Sequence, residues 1–172
     1  MPTTLAEHQF EILPTVDADA GVVFGLGADV SLDENGFRPG GTDWLTQDSE
    51  NIGRGTTGFG RDVLLGPTWA WDLFVNEEDV PTATATLGRL STAWRAREIR
   101  DVPGAVLPIR YALAGRTRRI YGRPRRFDAP PNNRILSGFV PVQADFKCVD
   151  AYTYDDAEDS ISLSLSATSQ GG

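Results

Sequence analysis

Few residues in this chain could carry covalent or metal chemistry, and their types narrow the choice before their positions do. His8 is the only histidine and Cys148 the only cysteine among 172 residues. A Ser-His-Asp or Cys-His relay would have to run through a histidine at the chain start, where segments are often weakly tied down. One histidine and one cysteine cannot supply the three or four ligands of a zinc site, and a lone cysteine excludes an intrachain disulfide. The acidic run Asp155-Asp156-Ala157-Glu158-Asp159 lacks the alternating carboxylates and bending glycine of a calcium loop, so it reads as a solvated turn. Gly53, Gly55 and Gly58 match G-x-G-x-x-G, yet no buried strand precedes them and no helix follows; they read as loop glycines, not a phosphate cradle. No catalytic residue, cofactor or metal ligand is therefore expected.

Recognition chemistry has one strong candidate. The segment Arg116-Thr117-Arg118-Arg119-Ile120-Tyr121-Gly122-Arg123-Pro124-Arg125-Arg126-Phe127 interleaves arginine with aromatics, as a single-strand nucleic-acid surface would. Read in period two, its arginines occupy both faces: Arg116, Arg118 and Arg126 on one, Arg119, Arg123 and Arg125 on the other. Something must neutralise one side. The formal charge is −8, but residues 1 to 88 hold fifteen acids and three arginines, residues 89 to 126 eleven arginines and two acids, and residues 127 to 172 seven acids and two bases. The flanks carry enough carboxylate to serve as partners, within the chain or from another copy, so protein contacts are favoured over phosphate. Fifteen of sixteen basic residues are arginine, which suits interfaces, although a GC-rich genome would give the same bias.

The elements that must position these residues read mostly in period two. Phe10 and Ile12, then Val22, Phe24 and Leu26, then Trp69, Trp71, Leu73 and Val75 alternate with smaller or polar residues. Leu107, Ile109, Tyr111 and Leu113 follow, then Val140, Val142, Ala144, Phe146 and Cys148, and lastly Ile161, Leu163 and Leu165 between serines. Cys148 falls on a buried face and reads as a small hydrophobe. One helix is predicted over 82 to 99, with Leu87, Leu90 and Trp94 on a sheet and Gly88 permitting close approach. Glu77-Glu78-Asp79 precede it and Arg95, Arg97 and Arg100 crowd its end, as the helix dipole favours. Trp69, Trp71 and Trp94 read as core. Residues 33 to 60, glycine-rich and without apolar patterning, read as a long loop or mobile hairpin. The chain reads as one domain over 1 to 166 with a flexible end over 167 to 172. No membrane span and no secretory leader are expected.

Taken in order, Gly60-Arg61-Asp62, Trp69-Ala70-Trp71-Asp72-Leu73, Trp94-Arg95-Ala96, the run from Pro103 to Tyr111, Tyr121 to Phe127, Asp145 to Asp150 and Tyr154-Asp155-Asp156 resemble the N-terminal domain of distal tail proteins of long-tailed actinobacterial phages. These are often labelled minor tail proteins, and the resemblance covers roughly residues 60 to 166. It implies a tail-tube-like β-sandwich with one flanking helix and an extended hairpin. It also implies a virion protein assembled with itself into a ring, hexameric in the family, joining the tail-tube protein to a tail-tip hub protein. DNA would be only passing cargo in an acidic channel, with no membrane partner and no enzymatic activity. Arg118, Arg119, Arg123, Arg125 and Arg126 are then expected at subunit or tube contacts. Three alternatives remain: a tail-tube or tail-completion protein, a nucleic-acid-binding module using residues 116 to 126, and last a carboxylate-dependent hydrolase, which would need two carboxylates converging in a pocket. Many relatives continue into a second, often carbohydrate-binding-like domain for which this sequence has no room, so it is expected to be either a minimal member or a truncated one.

Overall fold

Extended structure dominates because apolar residues recur at every second position. The computed structural model describes residues 3–51, 56–130 and 136–156. In chain order these form β1 (Gln9–Ile12), β2 (Val22–Gly25), β3 (Val30–Arg38), β4 (Asp43–Leu45), β5 (Ser49–Asn51), β6 (Thr56–Gly58), β7 (Val63–Leu65), β8 (Thr68–Asn76), α1 (Val80–Arg95), α2 (Arg97–Arg100), β9 (Leu107–Leu113), β10 (Arg116–Asp128), β11 (Phe139–Cys148) and β12 (Tyr154–Asp155).

An antiparallel sheet of order β2-β1-β9-β10-β11-β8-β3, with β12 added to β10, makes the body of the protein. Its first and last strands, β2 and β3, come back into contact, so the twisted sheet curls around its own apolar face. That face is aromatic. Phe10, Phe24 and Trp71 meet at ring separations of 5.5 to 5.6 Å, and Phe37 lies 4.8 Å from Phe10. The alternation of β8 and β11 is realised residue by residue, with Trp69, Trp71, Leu73, Val75, Val140, Val142, Ala144, Phe146 and Cys148 all buried.

Helix α1 closes the remaining side. Leu90 and Trp94 are buried against the sheet's core and Leu87 packs beside them, as expected. The helix starts two residues earlier than predicted because Asp79 caps it: its carboxylate accepts from the Thr82 amide at 2.8 Å and the Thr82 hydroxyl at 2.9 Å. Asp79→Ala should cost about 1 kcal/mol, measurable as a lower denaturant midpoint with unchanged slope; an unchanged midpoint would remove the cap from the account. The single helix over 82 to 99 is corrected to two pieces, because Ala96 takes the left-handed conformation (φ 46°, ψ 48°) and Arg100 donates to the freed carbonyls of Arg95 and Trp94. Gly88 does not permit a close approach; it faces outward with no atom within 4 Å of where a Cβ would stand.

Residues 33 to 60, read as a long loop or mobile hairpin, hold most of one sheet strand and a hairpin arm. Residues 30–38 form β3, paired with β8, but the ladder shifts register between Leu32 and Phe37, and this break hides the strand from any alternation count. Beyond it, β4 pairs with β7 and β5 with β6, making a stepped two-stranded arm. A second shift lies in β10 between Pro124 and Phe127, and there the Trp94 indole N–H donates to the Asp145 carbonyl at 3.2 Å. The bulge thus leaves an acceptor that the helix satisfies. At Gly122, where β10 exchanges its β9 partner for β11, a Cβ would stand 2.1 Å from the Lys147 carbonyl oxygen, so only glycine fits. The strand expected over 161 to 165, Asp159 with its neighbours 157 and 158, the end over 167 to 172, and Gly53 and Gly55 lie outside the described residues. Gly58 ends β6, one strand of the arm, and does not lead into a helix.

Candidate assembly surfaces

The arginine segment is neutralised first from within the chain. On the outer face of the sheet, Glu11 of β1, Arg110 of β9 and Arg119 of β10 stand in cross-strand register. Arg110 bonds Glu11 at 2.6 Å with one nitrogen and grips Asp156 bidentately at 2.8 and 2.6 Å with two others; Arg119 reaches the same carboxylate at 2.5 Å. The Glu11 carboxylate also accepts from the Thr3 hydroxyl at 2.9 Å and the Gly21 amide at 2.7 Å. The cluster is buried at its centre, with the Glu11 side chain 0% and the Arg110 side chain 5% exposed, while Asp156 and Arg119 are partly covered. Two acids and two arginines cancel, and every charge has a hydrogen-bonded partner, the condition under which buried ions are tolerated.

This cluster ties the stability of the fold to acid. Burial alone would raise the Asp156 carboxyl, but hydrogen bonds from Arg110 and then Arg119 outweigh it and hold the group below its ordinary value of 3.8. A depressed carboxyl contributes stability above its unfolded value, lost as pH falls through the folded one. The wild-type chain should therefore exceed Asp156→Asn in stability at pH 7, and the gap should close below about pH 4. Paired denaturant titrations at both pH values check this; a gap independent of pH would contradict it.

The five arginines expected at contacts divide. Arg119 is held by Asp156. Arg123 donates to the Ala105 carbonyl at 2.6 Å and the Val102 carbonyl at 2.5 Å, which fastens the loop after α2 to β10. Arg126 pairs loosely with Asp128 at 3.1 Å, both half exposed. Arg118 and Arg125 have no ion-pair partner among the described residues; Arg125 is exposed and Arg118 half-buried beside Asp155 in register. They remain open to a neighbour. The feature missed by sequence reasoning is Arg110, whose signal was an arginine inside the apolar run Leu107-Pro108-Ile109-Arg110-Tyr111-Ala112.

Two apolar surfaces stand exposed among the described residues. In the arm, register places Trp44 opposite Leu64 on one face, and Leu45 opposite Val63 with Leu65 beside them on the other. Trp44 is 56% exposed and Phe59, farther along, 87%. A two-stranded ribbon apolar on both faces has no core of its own. Along α1 runs a groove made of two adjoining hollows of about 480 and 610 Å³, which share Pro14, Thr92 and Ala93. Ile12, Val22 and Ala85 continue its apolar floor, Gly88 opens its wall, and Arg89, Arg95 and Arg97 stand on its margin.

Other groups offer little chemistry. Burial pushes the Cys148 thiol up to about 11, so it is a poor nucleophile at neutral pH. Among the described residues no three His, Cys, Asp or Glu side chains come close enough to hold a metal, and no helix is long and apolar enough to cross a membrane.

No family model and no curated protein matches the chain. Solved structures do. A chain of the phage p2 baseplate in its activated conformation with strontium has a TM-score of 0.62 at 10% identity, covering 82% of this chain and 44% of that one. The same baseplate with calcium gives 0.61 at 10% identity and the same coverage. The Dit protein of phage SPP1, described as a paradigm of the hub adsorption apparatus in phages infecting Gram-positive hosts, gives 0.50 at 16% identity, covering 85% and 52%. This chain spans about half the length of these proteins. At such identities the likeness is one of architecture: the chain has a mostly β fold, with one flanking helix, found in phage baseplate and hub proteins.

Proposed function

We propose that this chain is a structural protein of a phage tail, a hub ring at the distal end of the tail tube. The observation that carries the reading is the fold shared over more than four-fifths of the chain with the p2 baseplate and SPP1 Dit chains. The uncovered apolar arm and the open Arg118 and Arg125 supply contacts for such an assembly. Six copies would surround the channel for DNA, join tube protein above to a tip protein below, and catalyse nothing. The order of motifs from Gly60 to Asp156 supports a host among the actinobacteria. Electrostatics fits a conduit: a net charge of −8 repels phosphate, while arginines are spent on contacts. A nucleic-acid module based on residues 116 to 126 is less favoured, because Arg119 and Arg123 are already engaged within the chain.

Gold-labelled antibody against this chain, applied to particles of the phage that encodes it and viewed by electron microscopy, tests the reading. Label confined to the tail end farthest from the head is expected. Label along the whole tube would make it a tube protein, and unlabelled particles would remove it from the virion.

A further inference from the structure

We infer that the arm of one copy docks, through Trp44, into the groove beside α1 of the next copy. The inference rests on the ring reading and names the two surfaces that meet. Each is incomplete alone. The arm carries apolar side chains on both faces and leaves Trp44 56% exposed, and the groove is an apolar channel with an open margin at Ala85, Gly88 and Thr92.

Size and charge both match. An indole beside Leu64 is the kind of rigid anchor that fills a hollow lined by small residues, and tryptophan is enriched among residues that dominate interface energies. Around the anchor, the described arm presents Asp43, Asp48 and Asp62 against one arginine, Arg61. Around the groove stand Arg89, Arg95 and Arg97 against Glu98 and the Asp29 paired with Arg89, a net positive margin. Acidic arm and basic margin attract, whereas arm against arm or groove against groove repels. A contact between two different patches of one chain is heterologous, and it closes into a ring when the rotation permits. The exposed Arg89–Asp29 pair at 3.1 Å occupies one of these arginines, so Arg95 and Arg97 carry the attraction.

The test uses two variants that leave the fold alone. Trp44 is more than half exposed in the arm, and Gly88 lies in an exposed helical position with empty space above it, so Trp44→Ala should melt near the wild-type temperature and Gly88→Trp at or above it. The same variants should weaken self-association by about 30-fold or more, as loss of an interface anchor does, read by light scattering across a concentration series. In addition, Thr42→Cys chains mixed with Thr92→Cys chains and a short bismaleimide should give cross-linked heterodimers, whereas either alone should not; buried Cys148 stays silent. Rings that persist in both variants without the cross-link would overturn the docking and leave the hub reading standing. A wild-type chain that never self-associates would overturn the docking outright. A variant chain lacking residues 157 to 172 separates the last rival occupant: if only this truncation exposes the groove to the Thr42→Cys partner, the chain's own end fills it and the inference fails.

Discussion

Arg110→Met is expected to remove about 3–5 kcal/mol of stability, a large share of the roughly 5–15 kcal/mol typical of a whole domain. The reason is Glu11. Its side chain is fully buried, and Arg110 supplies its compensating charge at 2.6 Å. With the guanidinium gone, a carboxylate remains inside with only the Thr3 hydroxyl and the Gly21 amide to solvate it. Asp156 loses its bidentate partner in the same step, which loosens the return of β12 to β10. Denaturant unfolding of Arg110→Met and of Glu11→Gln/Arg110→Met separates charge from packing. The double variant should recover part of the loss, because it removes the stranded charge. A single variant within about 1 kcal/mol of wild type would show that the cluster is not the buried, paired group described.

Trp94→Ala should cost a similar amount, about 3–5 kcal/mol. Its indole packs edge-on against Phe24 and Trp71 at 5.8 Å, touches Phe127 at 6.2 Å, and donates to the carbonyl exposed by the β10 bulge. Deleting it opens a cavity where helix meets sheet and strands an acceptor. Trp94→Phe keeps much of the volume and loses only the donor, so it should cost about 1–2 kcal/mol. Trp71→Phe provides the contrast, because the Trp71 indole nitrogen is buried without a hydrogen-bond partner among the described residues. That substitution should be the milder of the two at the same probe, and the reverse order would contradict the role given to the bulge.

How much of this was legible depends on where the physics is local. Alternation over Thr68–Asn76 and Phe139–Cys148 identified buried faces directly, since each strand has one dominant core side. The helix was legible from the spacing of Leu87, Leu90 and Trp94 and the acids before it. Glu11 was not, because alternation with Phe10 and Ile12 reads it as solvent-facing, whereas the outer face of β1 is itself covered by the N-terminal segment at Thr3 and by Asp156. The partner of Arg119 stands 37 residues away and depends on a two-residue strand, so no local pattern could supply it. β3 was masked by its register break, and the arm by having no buried face to impose a period. The arginines on both faces of β10 posed the right question, and the answer for Arg119 and Arg123 came from inside the chain.

The proposed hub is a closed ring that conducts DNA without binding it. The most direct measurement is the mass of the purified chain by light scattering at two salt concentrations, with and without a short DNA duplex. The account predicts a mass near six times the 18.7 kDa of one chain, indifferent to the duplex. A monomer that binds the duplex at low salt and releases it at high salt would contradict it.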